Sequence, residues 1–322
     1  MIEQHLQSIP GKLVNRDSSQ LGTSHPCSAP HPRRRRRPHT RSITSQNCRG
    51  LKTGSRMTEF IGELCERHIW AAGCQETWRS GKDDFTEDGY CFLGVGPAQQ
   101  QGCGSAGVAI ILSRSATSAW QAAGAVVHTD LGPRVIAAPL LARDAWTRRP
   151  LGVYLMSTYA PTSDASATDL DMYYSAFSTA LARKPRGYVL VVCSDANASI
   201  GRGSLDNTTG LSARSNAVGP YGIDHVNGSG RRLRSFLEVN QLASLASFFR
   251  KPHYGTWLHP RSKRLHQLDH ILVTRQDVFR FTDAGSRPGQ LHVIDSDHRA
   301  VGCTLRIATD LQRKPEQRAR LA

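Results

Sequence analysis

The chain has 322 residues, 39% of them hydrophobic, and a formal net charge of +15. No apolar run approaches the ~18 residues that a membrane-spanning helix needs, and the N-terminus lacks the apolar core of a signal peptide. The eight cysteines show no CxxC or other zinc-ligand spacing, which excludes a zinc module and points to a reducing compartment.

Charge is spread unevenly. Residues 1–41 carry eight Lys/Arg against two acids, including the run His31-Pro-Arg-Arg-Arg-Arg-Arg-Pro-His39. Flanking prolines and like-charge repulsion predict a disordered basic arm over 1–41. Such an arm reads as a nuclear-import signal or a nucleic-acid contact; a tail without function and a mitochondrial transit peptide are the alternatives. Residues 308–322, four Lys/Arg against two acids, read as a flexible basic tail. The remaining +7 sits on 42–307, so the expected folded part is basic on its own account and suits a polyanionic partner.

Patterning predicts a strand over 42–48. A helix follows over 54–68, with Met57, Phe60, Ile61, Leu64 and Cys65 on one face, then strands over 69–75, 90–95 and 106–112. A strand pair is expected over 134–141 and 151–159, and a helix over 168–183 with Leu170, Tyr173, Tyr174, Phe177, Ala180 and Leu181 inward. The continuous apolar run 188–193 predicts a central strand. A long Gly/Ser/Asn-rich loop over 199–228 leads to a helix over 231–240. Strands over 268–274, 279–285 and 299–307 complete an α/β sandwich domain over 42–307, with no repeat at a solenoid period.

Polar residues gather where these strands end. Asn47 and Glu76 each close a strand, Asp195 and Asn197 follow the most apolar one, and Asp269 and the pair Asp297-His298 stand at strand entrances. A sheet edge can converge such residues on one cleft, which predicts a metal-assisted site for phosphoester cleavage. His270, Cys48 and Trp78 are assigned to packing. Around Thr256-Trp257, Arg231, Arg232 and Arg234 on one side and Lys251, Arg261, Lys263 and Arg264 on the other interleave basic and aromatic groups, as in backbone tracking and base stacking.

The stretches Asn47-Cys-Arg-Gly-Leu51, Gln75-Glu-Thr77, Tyr159-Ala-Pro-Thr162, Ser194-Asp-Ala-Asn-Ala198, Gln267-Leu-Asp-His-Ile-Leu272 and Ser296-Asp-His298 occur in the order of the exonuclease–endonuclease–phosphatase superfamily. Over about residues 43–307 the chain resembles that superfamily, and within it the endonuclease domain of non-LTR retrotransposons and the craniofacial development protein 2-like proteins. The resemblance implies a four-layer sandwich, two packed and mostly antiparallel β-sheets flanked by helices, acting as a monomer that nicks duplex DNA with Mg²⁺ or Mn²⁺. Two positions depart from the family's Gly-Asp-Phe-Asn, which here is Ser194-Asp-Ala-Asn197. Ser194 adds a side chain at a tight backbone, and an aromatic lost at Ala196 typically costs about 3–5 kcal/mol unless neighbours fill the space.

Within that resemblance the chemistry divides among the motifs. Phosphodiester hydrolysis needs an in-line water and neutralisation of charge on the phosphoryl oxygens. Mg²⁺ takes hard oxygen ligands and keeps several waters. Glu76 is then the first metal ligand, with Asn47 beside it and Asp297 completing the set. Asp195 orients or deprotonates the water, Asn197 donates to a phosphate oxygen, His298 stabilises developing charge, Asp269 fixes the His298 tautomer, and Tyr159 bonds the phosphate. The expected function is a metal-dependent endonuclease in the nucleus, with cytoplasm or mitochondrion as alternatives and no membrane partner. A phosphatase acting on other phosphoesters and a catalytically impaired nucleic-acid-binding remnant are the competing readings.

Overall fold

A computed structural model describes residues 39–98, 106–203, 216–291 and 295–308. The expected arm and tail lie almost wholly outside the described residues. The chain begins β1 (Arg41–Asn47), α1 (Gly54–Glu66), β2 (Ile69–Gln75), β3 (Lys82–Glu87), β4 (Tyr90–Val95), β5 (Val108–Leu112) and α2 (Arg114–Ala122). It continues β6 (Val135–Asp144), β7 (Pro150–Tyr159), α3 (Ala167–Ala182), β8 (Val189–Asp195) and α4 (Gly228–Val239). The last third holds β9 (Leu242–Ser244), β10 (Trp257–Leu258), β11 (Leu265–His266), β12 (Asp269–Thr274), β13 (Phe281–Arg287), β14 (Ala300–Leu305) and β15 (Ile307–Ala308).

Two mixed sheets result. One runs β13-β14-β1-β2-β5-β4-β3 and the other β15-β6-β7-β8-β12-β9, while β10 and β11 form a separate hairpin. Among the described strands only β1–β2 and β7–β8 pair parallel, and each parallel pair is linked through a helix, α1 or α3. Alternation along the strands sorts their side chains into layers. Ile43, Ile110, Val153, Val191, Ile271 and Val301 come from both sheets and fill the space between them. Leu190, Val192 and Leu272 face the opposite way and pack beneath Phe177 of α3 and Leu237 of α4. Ala72, Cys74 and Ile111 meet Phe60 and Leu64 of α1. The order is helix, sheet, sheet, helix, as the patterning and the resemblance imply.

The departures from the sequence reading have local causes. β3 is an edge strand bonded to β4 alone, and its side chains alternate only between exposed and half-buried. Lys-Asp-Asp-Phe-Thr-Glu therefore carries no buried face to read; Phe85 stacks on Phe92 at 4.8 Å instead. α2 is nine residues long, and it buries only Ala116 and Ala119, too few for a periodic signal; the Ser113 hydroxyl caps its N-terminus by accepting from Ala116 N. Cys65, expected on the inner face of α1, is exposed. The strand expected from 279 begins at Phe281, after a 3-10 turn over Arg275–Arg280.

The sheets approach each other closely at Gly73. A Cβ there would sit 2.3 Å from Cys193 Cβ on the facing sheet. Gly73→Ala is expected to destabilise by about 1–3 kcal/mol through overpacking, read as a lower denaturant midpoint at unchanged m. Gly62→Ala, in α1 with open space around it, is the control and is expected to be stabilising by about 0.5–1 kcal/mol.

Candidate active site

Three neighbouring strands of one sheet end in a row. Asp195 of β8 pairs in register with Tyr159 of β7 on one side and Asp269 of β12 on the other. Period-two alternation puts all three on the face carrying Val191, Cys193 and Ile271, so they point into the gap between the sheets. Across the gap, β1 and β2 end side by side at Asn47 and Gln75, with Glu76 next along the chain. Below this polar rim, Gln75 Nε2 donates to Ser157 Oγ at 3.1 Å and to Cys193 O at 3.1 Å, which ties the two sheets together under the site.

Asn47 links the walls. Its Nδ2 donates to Glu76 Oε1 at 2.9 Å and to Asp195 Oδ2 at 2.8 Å. Tyr159 O–H donates to the same Glu76 oxygen at 2.9 Å. Asn197 N donates to Asp195 Oδ1 at 3.1 Å, and Asn197 Nδ2 to Ala160 O at 2.9 Å. Glu76 and Asn197 hold left-handed backbone, φ 51° and 46°, a conformation costly for Glu and tolerated by Asn.

His298 Nδ1 lies 3.0 Å from Asp269 Oδ2 and 3.2 Å from its Oδ1. Asp269 is held in turn, because Thr256 Oγ1 accepts from the Leu268 and Asp269 amides at 2.9 and 3.1 Å. Asp195, Asp269 and His298 bring ligand-type atoms all within 4.8 Å of one another, so the imidazole stands between two carboxylates. Burial alone would lower the His298 pKa, but the carboxylates of Asp269, Asp195 and Asp297 overcome it and push the imidazole up to about 10. Burial, then the Asp269 charge, raises Asp195 to about 7 against the opposing pull of His298 and Asn47. Burial and the Glu76 and Asp195 charges drive Tyr159 upward, so it stays a phenol.

Both shifts have the same sign for stability: the folded chain binds more protons than the unfolded one. Asp195 favours folding fully below about pH 4, and this is lost as pH rises towards 7. His298 favours it below about 6.5, lost as pH rises through about 10. Without divalent ions, the fall in Tm from pH 5 to pH 9 is expected to be steeper for the wild type than for Asp195→Asn or His298→Ala. Parallel Tm–pH curves would refute the assignment.

The cleft, about 550 Å³, is lined by Arg49, Glu76, Tyr159, Asn197, Asp297 and His298, and by Trp257 of β10. Trp257 Nε1 donates to Asp297 Oδ2 at 3.0 Å. The other Asp297 oxygen is buried without a hydrogen bond, its nearest ionic neighbour Arg49 Nη1 at 3.4 Å. Glu76 and Asp297 thus line one cleft, and carboxylates there suit a hard divalent cation.

The expected nucleic-acid residues divide. Trp257 lines the cleft, and Arg261, Lys263 and Arg264 stand exposed on the turn between β10 and β11. Thr256 is buried, and its hydroxyl is spent on the amides that position Asp269. Arg231 and Arg232 lie on α4, away from the cleft lining; Arg232 pairs with Asp171 of α3 and stacks on Tyr174 at 5.0 Å. Sequence reading missed His225, His259 and His266, which also line the cleft, with His259 and His266 packed around the Trp257 ring at 5.2 and 5.7 Å. The triplet Trp257-Leu-His259 was the available signal. His270, assigned to packing, is fully buried and bonded to Ser244 Oγ and Ala198 O. Ser194 Oγ accepts from Thr158 Oγ1 at 2.9 Å, itself bonded to Tyr173 O–H, so the added hydroxyl has a partner.

No family model matches the chain. Craniofacial development protein 2 of Bos taurus is 24% identical over 269 residues, which is 82% of this chain and 41% of that protein. The protein of the same name from Tragulus javanicus is 26% identical over 161 residues, 49% of this chain and 26% of that one. The chain thus spans less than half the length of the curated relatives it matches. Among solved structures, the 3′ phosphatase NExo from Neisseria bound to a product DNA hairpin superposes with a TM-score of 0.56 at 19% identity, over 82% of this chain and 98% of that one. The chain has the exonuclease–endonuclease–phosphatase fold. AP endonuclease LMAP from Leishmania major (TM-score 0.56, 13% identity, 83% and 88% covered) shares this fold. So does the endonuclease domain of TRAS1, a telomere-specific non-LTR retrotransposon (0.51, 15%, 84% and 99%).

Proposed function

We propose that the chain is a divalent-metal-dependent phosphodiester hydrolase, an endonuclease that nicks duplex DNA in the nucleus as a monomer. The carrying observation is the Asp269–His298 pair set beside Asp195, which Asn47 ties to Glu76, with Glu76, Asp297 and His298 lining one cleft. Glu76, Asn47 and Asp297 would hold Mg²⁺, or Mn²⁺ in its place, and the bound ion would neutralise phosphoryl charge and lower the pKa of a bound water. Ligation by Asn47 takes its amide oxygen, so its two ends would exchange relative to the donation seen here.

The residues of the chain supply the rest. Asp195, with Asn197 N fixing one oxygen, takes a proton from the attacking water. His298, kept protonated by Asp269 and Asp195, donates to the phosphoryl oxygens as charge develops. Tyr159 holds Glu76 in place. Arg261, Lys263 and Arg264 follow the DNA backbone. The partnered Ser194 hydroxyl favours an intact site over an impaired remnant.

A supercoiled-plasmid assay tests the reading. Conversion to open circles is expected with Mg²⁺ and not with EDTA; failure with both Mg²⁺ and Mn²⁺ would reject it. A 3′-phosphorylated oligonucleotide is included as substrate, because a structural neighbour is named a 3′ phosphatase.

A further inference from the structure

The cleft lies at one end of the strands. At the other end of β7, nine residues or roughly 30 Å away at ~3.3 Å per residue, the turn after β6 presents a second surface. Asp144 Oδ1 accepts from Trp146 N at 3.0 Å and Thr147 N at 2.7 Å, fixing a turn that leaves the Trp146 indole 55% exposed. Arg306 lies 4.9 Å over that indole and donates to the carbonyl of Phe279. Phe279 is 60% exposed, with Arg280 5.1 Å over its ring. Ring and cation therefore alternate along a continuous surface: Trp146, Arg306, Phe279, Arg280.

The charge balance there is one-sided. Among the described residues, the Asp144 and Asp277 carboxylates there are already engaged by Arg280 at 3.6 and 2.8 Å. Arg148 and Arg149 are exposed on the same turn, and among the described residues neither they nor Arg306 forms an ion pair. The chain leaves this pole at Ala308, paired with Arg143, into a stretch that adds four Lys/Arg against two acids. Trp146 and Phe279 are the exposed Trp and Phe side chains among the described residues, and each stands beside a guanidinium. Isolated rings between guanidinium groups suit a ligand that carries its own flat rings and negative charges. A duplex hides its base faces; a single strand offers them.

We propose that Trp146 and Phe279, with Arg306, Arg148 and Arg149, form a second nucleic-acid site that binds a single strand. The bases stack on the two rings while the arginines take the phosphates. This is separate from the cleft and does not depend on its chemistry.

The test uses the full chain in EDTA, with fluorescein-labelled dT20 and a 20-base-pair duplex as probes in anisotropy titrations. Trp146→Ala/Phe279→Ala is expected to weaken dT20 binding at least about tenfold, since a stacked base contributes about 1–3 kcal/mol, and duplex binding less than threefold. Its Tm should match the wild type, because both side chains are exposed. Arg148→Ser/Arg149→Ser is expected to reduce the slope of log K against log salt for dT20 by about 1–2. The proposal is overturned if dT20 fails to bind the wild type or if both double variants bind dT20 within twofold of it. Equal losses for dT20 and the duplex would equally overturn it, as they would mark a surface that reads charge alone.

Discussion

Replacing His298 by alanine is expected to slow single-turnover nicking about 10²–10⁴-fold, the range for one positioned charge-stabilising or proton-transferring group. Asp269→Asn should cost a similar factor. The side chain keeps its size, but it no longer holds Nδ1 protonated or stabilises the imidazolium across the 3.0 Å contact. Because the two act on one step, their losses should not add: the double variant should be little slower than His298→Ala alone. Additive losses, measured on the four proteins and corrected for folded fraction, would show that Asp269 serves packing and His298 acts without it. The alkaline limb of the rate profile gives an independent reading. His298 is held at about 10 by its carboxylate neighbours, so Asp269→Asn should move that limb to lower pH.

Glu76→Ala is expected to abolish nicking at limiting Mg²⁺, a loss on the order of 10³-fold or more if a metal's several kcal/mol of charge stabilisation goes with it. Partial recovery at high Mg²⁺ would separate lost affinity from lost chemistry. Glu76→Gln keeps both accepted hydrogen bonds, from Asn47 and Tyr159, and removes only the charge. It should be nearly as inactive as the alanine variant while keeping the wild-type Tm. Wild-type rates for either variant at both saturating and limiting Mg²⁺ would remove Glu76 from the site.

Much of this site was legible because its groups sit where strong patterns stop. Val189 to Cys193 is an unbroken apolar run, so the acid that ends it had to lie at the mouth of a central strand. Ile69 to Gln75 and Leu151 to Tyr159 end the same way. What was not legible depends on partners distant in sequence. Thr256 read as a nucleic-acid contact beside a tryptophan, yet its hydroxyl closes on amides 12 and 13 residues on. Arg232 read as part of a basic rim, yet its partner Asp171 lies 61 residues away on another helix. β10 and β11 are two residues each, shorter than any periodicity can show, and they bring His259 and His266 to the cleft.

The left-handed backbone at Glu76 and Asn197 extends to a third cleft residue, Arg49 at φ 44°. For Arg49 and Glu76 this costs about 1–2 kcal/mol relative to a glycine in the same place, and for Asn197 less, because asparagine enters this region readily. For Glu76, a single change to glycine would both relieve that cost and delete the carboxylate. A glycine there would also leave the Asn47 amide and the Tyr159 hydroxyl without the acceptor they share, at a cost of the same order as the strain relieved. Position 76 is thus held between a backbone that favours glycine and a polar network that needs the carboxylate.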